Sequence, residues 1–122
     1  MVKFKNLTPD QIIIFAKPIS PVIDPSGYVA SVQYSTVDVD VCGTPVTVNI
    51  TDDDTKAVWI PDPEDGVMYI VSNEVAKYCD CKGRSDLFTP IEPVKTTDGR
   101  TAYMALKRLW KLEYIMIIKL KI

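Results

Sequence analysis

Histidine is absent from this 122-residue chain and glycine is scarce, at five. The first absence removes the side chain that most often carries protons near neutral pH, and with it the usual activator of a nucleophilic cysteine or serine. No Gly-x-Ser-x-Gly elbow and no phosphate-cradling glycine loop occurs either. Cysteine is limited to Cys42, Cys79 and Cys81. Three thiols fall one ligand short of a closed zinc site, and an odd number reads as free thiols in a reducing compartment, so no metal and no cofactor is expected. Net charge is also small, at −2, which supplies no broad positive field for duplex DNA. No apolar run approaches the roughly 20 residues of a membrane-spanning helix. The first residues lack a basic-then-apolar leader, so the expected location is the cytosol. The sixteen acidic residues fall mainly in turns, where aspartate bonds local backbone. The composition points to a protein that binds without turning over a substrate.

What is present reads as strand, in one domain spanning residues 1–122. Val2–Asn6 and Gln11–Ala16 are short apolar or aromatic runs parted by Leu7-Thr-Pro-Asp10. After the Asp24-Pro-Ser-Gly27 turn, Tyr28, Ala30, Val32 and Tyr34 alternate on one parity and Val37, Val39 and Val41 on the other, which requires a bulge or break near Ser35-Thr36 if both stripes face one core. Gly43-Thr-Pro45 turns the chain into Val46–Ile50, and Asp52-Asp-Asp54 makes a charged loop before Ala57–Ile60. Val67–Val71 is the continuous apolar run of a strand buried on both faces. Ser72 is placed to cap a short helix, with Glu74 near its positive end and Gly83 as its stop. The expected fold is mainly β, an antiparallel partly closed barrel or small sandwich with one short helix near residues 73–79. Its expected core is Ile12, Ile14, Val29 or Val32, Val48, Trp59, Val67, Tyr69, Val71, Leu87, Met104 and Leu106.

Several landmarks occur in order: Asn6-Leu-Thr-Pro9, Pro25-Ser-Gly27, Gly43-Thr-Pro-Val46, Pro63 followed by Gly66-Val-Met-Tyr-Ile-Val-Ser72, Arg84-Ser-Asp86 with Pro90, and Asp98-Gly-Arg100. This order resembles a family of small phage and prophage proteins over roughly residues 6–110, most specifically in the Tyr-Ile-Val-Ser segment. The chain departs from the pattern at Asp10, where those proteins usually carry histidine, and in its apolar tail after Trp110. The resemblance implies a viral accessory protein acting in the host bacterial cytoplasm, and carries no particular activity with it.

From Ala102 onward every even position is apolar except Arg108. A helix over 102–111 competes with a strand there, and the strand is preferred. An arginine on an apolar stripe is either a structural ion pair or a donor fork aimed at a phosphate or carboxylate. With Arg84, Asp86, Phe88, Arg100 and Tyr103 it forms the candidate ligand site, where cations grip phosphates while an aromatic ring stacks on a base. Three functions follow as expectations. The first is a counter-defence sponge for a small nucleotide-like anionic ligand, namely a bacterial second messenger. The second is an inhibitor that covers a host defence protein, and the third is a structural or assembly module of the virion. Residues 112–122, apolar on both parities as far as Ile118, are expected to join copies into a homo-oligomer.

Overall fold

The computed structural model describes residues 3–110 and the backbone of Ile117–Ile118. The chain is mainly β, with one short helix, and its sheets stay open. The principal sheet has five strands in the order β1 (Lys3–Asn6), β8 (Val67–Ile70), β9 (Leu87–Lys95), β10 (Thr101–Arg108) and β11 (Ile117–Ile118). Three two-stranded sheets complete it: β2 (Ile12–Ile13) with β3 (Val22–Ile23), β4 (Ser31–Gln33) with β7 (Lys56–Val58), and β5 (Ser35–Val41) with β6 (Thr44–Ile50). Most pairings are antiparallel, but β8 is flanked in parallel by both β1 and β9. Such a strand needs cover on both faces. Its residues alternate accordingly. Val67, Tyr69 and Val71 enter one buried cluster with Leu7, Ala30, Val75, Leu87 and Leu109, whereas Ile70 enters another with Ile12, Ile14, Phe88 and Leu106.

Each face of the sheet is covered by a different element. The helix α1 (Asn73–Tyr78) lies over the first cluster through Val75, and it starts where the Ser72 hydroxyl accepts from the Val75 N–H at 3.2 Å. This is the capped helix expected at that place, but extended Cys79 ends it, and Gly83, expected as its stop, lies further on in a turn at φ 80°. The short β2–β3 pair covers the second cluster through Ile12 and Ile23. Strand β9 carries Pro90 and Pro93, which a central strand does not tolerate. They are accommodated because β8 pairs only with Leu87 and Phe88, leaving the rest of that side of β9 without a ladder partner among the described residues. Residues 101–108 form a strand and not a helix.

The parity change after Val32 appears where it was expected. Ser35 pairs with Ile50 and Gln33 with Lys56, so the single residue Tyr34 stands opposite the five-residue stretch 51–55. The consequence differs from the sequence reading. Beyond this break β5 and β6 leave the body as an arm exposed along nearly its whole length, so Val48 is 39% exposed instead of sitting in the core. Trp59, also expected in the core, is 77% exposed, because the strand ends at Val58 and the backbone at Trp59 turns to φ 66°. Val29 is exposed as well, and Val32 and Met104 are half-buried. The remaining expected core residues are buried. Most of the tail expected to join copies lies outside the described residues. Ile117 and Ile118 pair with Lys107 and Leu106 of the same chain.

Candidate binding surface

The six residues expected to form a ligand site divide among separate places. Arg84 and Asp86 form a two-pronged pair, Nε to Oδ1 at 3.1 Å and Nη2 to Oδ2 at 2.9 Å, with both side chains largely buried. The hydrogen bond to Asp86 raises the Arg84 pKa further. The pair joins the loop after α1 to the start of β9, and the Asp86 carbonyl accepts from Tyr69 N–H at 2.8 Å. Arg100 closes the β9–β10 turn on Asp98, Nε to Oδ2 at 2.8 Å. Hydrogen bonds from the Thr96 hydroxyl and the Arg100 backbone N–H hold the Asp98 carboxyl below its usual range.

Phe88 and Arg108 do meet. They are cross-strand partners, and the guanidinium carbon lies 5.3 Å from the ring centroid. Tyr103 packs against the same cluster, with its backbone tied to Phe15 and Ile14. Eight residues of strand at about 3.3 Å each set Arg100 roughly 25 Å from Arg108 along β10. Arg84 in turn lies toward Cys79 and Tyr69, which belong to the cluster on the other face of the sheet from Phe88. One constellation therefore does not form from these six.

Two surfaces that sequence reasoning missed stand out. The first is a groove of about 470 Å³ lined by Gly27, Tyr28, Val29, Trp59, Ile60 and Pro61. Tyr28 and Trp59 are 76% and 77% exposed, so two large rings flank an apolar floor in open solvent. A bulky residue in the left-handed region is an outlier, and such outliers concentrate where function requires a particular side-chain direction. Adjacent turn signals at Pro25-Ser-Gly27 and Pro61 were the only hint in the sequence that these aromatics leave their strands. The second surface is a groove of about 590 Å³ between the β2–β3 and β9–β10 turns, where Phe15, Lys17, Lys95 and Arg100 are among the lining residues.

Chemistry elsewhere is sparse. Among the described residues no group of three or more His, Cys, Asp or Glu side chains stands close enough to hold a metal ion. No described helix is long and apolar enough to cross a membrane. The three cysteines are free thiols. Burial, with the neighbouring Cys81 adding to it, pushes the Cys79 thiol up to about 11, and burial raises Cys81 as well. Thiolate is the reacting form. Titration of the native protein at pH 8 with a disulfide reagent should therefore modify the exposed Cys42 quickly and the half-buried Cys79 and Cys81 only slowly. Three equal rapid phases would contradict this burial.

Comparison with protein-family models, with curated proteins and with solved structures finds no match to this chain.

Proposed function

We propose that this chain is a non-catalytic accessory protein that binds a polypeptide partner through the Tyr28–Trp59 groove. The carrying observation is the pair of solvent-exposed rings over an apolar floor of Val29, Ile60 and Pro61. Tryptophan and tyrosine dominate binding energy at protein interfaces because each ring hides a large area at little conformational cost. The arginines carry less of the anion-binding alternative, since Arg84 and Arg100 are already engaged by Asp86 and Asp98. With the phage resemblance, the fitting partner class is a bacterial defence effector that the protein covers. A second reading, capture of a nucleotide-like anion, is favoured at one place only. That place is the groove lined by Phe15, Lys17, Lys95 and Arg100, with Asp98 beside them.

Trp59→Ala should lower stability by less than about 1 kcal/mol, since the ring is exposed. It should weaken partner binding by roughly 10- to 100-fold, the effect of removing an interface anchor. The check is recovery of tagged wild-type and variant full-length protein from the bacterial host, followed by native mass spectrometry. A polypeptide held by wild type and lost from both Trp59→Ala and Tyr28→Ala supports the reading. A nucleotide released from wild type, retained by Trp59→Ala and lost from Arg100→Ala, would transfer the function to the second groove.

A further inference from the structure

We infer that Tyr34 is a latch that sets the direction of the β5–β6 arm, fastening it to α1 through its hydroxyl on Glu74 and its ring on Tyr78. The arm joins the body where the ladder is broken. Gln33 and Lys56 are the last pair on the body side, Ser35 and Ile50 the first pair of the arm, and Tyr34 alone faces residues 51–55 between them. An interrupted ladder is where a strand pair bends. The loop opposite Tyr34 does not brace the junction. Asp52 N–H donates to the Thr55 hydroxyl at 2.9 Å, Asp54 N–H to the Asp52 carboxylate at 2.9 Å, and Thr55 N–H to the Asp52 carbonyl at 3.1 Å. The Asp52 carboxylate also takes a hydrogen bond from the Ser35 side chain, which with the Asp54 N–H holds it below its usual range. The loop is thus bonded to itself and to the arm. Beside it an open cleft of about 470 Å³, lined by Gln33, Tyr34, Ser35, Asp53, Asp54 and Lys56, leaves room for the arm to turn.

What reaches from this junction to the body is Tyr34. Its hydroxyl donates to the Glu74 carboxylate, and its ring meets Tyr78 edge-on with the centroids 6.0 Å apart. The bond to Glu74 pushes the Tyr34 pKa up to about 12, so the hydroxyl stays a donor throughout the neutral range. Both partners lie on α1, which is itself fixed. Ser72 caps it, Val75 is buried beneath it, and Asn73 accepts from the Thr89 hydroxyl of β9 at 3.1 Å. Further out, every hydrogen bond described for residues 36–49 runs within the arm. One exposed hydrogen bond and one ring contact are weak fastenings taken singly. They decide the arm's direction because the ladder, which would otherwise carry it, is broken at this point. Fastenings of this strength leave a released state at roughly 1–10% of the population. The arm is therefore held in one direction and can still be turned.

Distances between two spin labels on the full-length chain test this. One label sits on the exposed Cys42 at the arm tip and the other on Lys95→Cys in β9, in a Cys79→Ser, Cys81→Ser background. With Tyr34 and Glu74 intact, one narrow distance distribution is expected. Tyr34→Phe keeps the ring and loses the donor, and should raise the population outside that peak roughly 3- to 10-fold, the factor that one net hydrogen bond supplies. Glu74→Ala should do the same, and Tyr34→Ala, which removes the ring as well, should do more. Glu74→Gln keeps an acceptor and should restore the narrow peak, which a general effect of charge at the start of α1 would not. The distribution is read with no partner present, so its outcome is independent of the Tyr28–Trp59 groove. A parent distribution already as broad as that of Tyr34→Ala overturns the inference, as does one that stays narrow in Tyr34→Ala. Residual dipolar couplings give a second readout on the chain without labels. In Tyr34→Phe the couplings of amides 36–49 should shrink relative to those of β8 and β9 while keeping their pattern within the arm. Couplings unchanged from wild type, or a shrinkage shared equally by arm and body, overturn the latch.

Discussion

Asn6→Ala is expected to destabilise the protein by about 3–5 kcal/mol, a large share of the 5–15 kcal/mol that holds a typical domain together. The side chain is fully buried and uses all its capacity. Its amide nitrogen donates to the carbonyls of Asp10 at 2.8 Å and Ile23 at 3.0 Å. Its oxygen accepts from the Thr8 N–H at 2.9 Å and the Thr8 hydroxyl at 2.6 Å. The main-chain oxygen of the same residue takes both the N–H and the hydroxyl of Ser26, at 2.9 and 2.8 Å. Asn6 thereby ties the end of β1 to two loops at once. Alanine leaves the Ile23 carbonyl and the Thr8 N–H without their side-chain partner and the Asp10 carbonyl with the Thr8 hydroxyl alone, at 2.9 Å, which costs about 1–3 kcal/mol for each group that stays dry. Asn6→Asp is the sharper control. It keeps the shape but turns the donor toward Asp10 and Ile23 into an acceptor facing acceptors, so it should cost at least as much. Equilibrium urea unfolding measures both, and a loss under about 1 kcal/mol for alanine would mean that the loops hold themselves.

The same hub explains why the Asn6-Leu-Thr-Pro9 and Pro25-Ser-Gly27 landmarks occur together. They are the two halves of one junction, bridged backbone to backbone at Asn6 and Pro25. Other landmarks also fix a change of chain direction. Ser72 caps α1, the Arg84–Asp86 pair aligns the entry to β9, and Asp98 with Arg100 closes the turn into β10. Residues that read as a family signature, and in three cases as ligand-binding groups, are thus at work within the chain itself.

How much was legible follows from the range of the interaction involved. Period-two stripes, a serine before a short helical run, and the parity slip near Ser35 are local features, and the strands, α1 and the break at Tyr34 follow from them. The parallel neighbours of β8 are not local. The run Val67–Val71 announces burial on both faces but cannot name the strands beside it. Trp59 and Val48 were misplaced for a related reason. Hydrophobic residues at the right parity report a strand, yet parity is blind to whether that strand lies on the body or leaves it as an arm. The candidate site was scattered because six residues of suitable chemistry lie at opposite ends of one ladder and on opposite faces of one sheet. Only Phe88 and Arg108, cross-strand partners, were brought together outside a local turn.

Phe88→Ala is the other large expected effect, about 3–5 kcal/mol for an aromatic ring removed from a closed core. Phe88 is fully buried among Ile12, Ile14, Ile70 and Leu106, meets Phe4 edge-on at 5.9 Å, and lies beneath the Arg108 guanidinium. Alanine therefore opens a cavity and also deprives a half-buried cation of its ring. The two contributions separate in a double-mutant cycle. Phe88→Leu keeps most of the volume but not the aromatic face, and Arg108→Met keeps most of the stem but not the charge. The cycle should give a coupling of about 0.5–2 kcal/mol, the range of a partly desolvated cation over a ring. Coupling near zero would mean that Arg108 is held by other contacts and that the ring serves only as filler. A coupling in the expected range makes Arg108 part of the fold, and Arg108→Ala should then lower the melting temperature of the protein with no ligand present. An arginine reserved for a phosphate would instead leave that temperature nearly unchanged, so thermal denaturation of the empty protein distinguishes the two roles before any ligand is known.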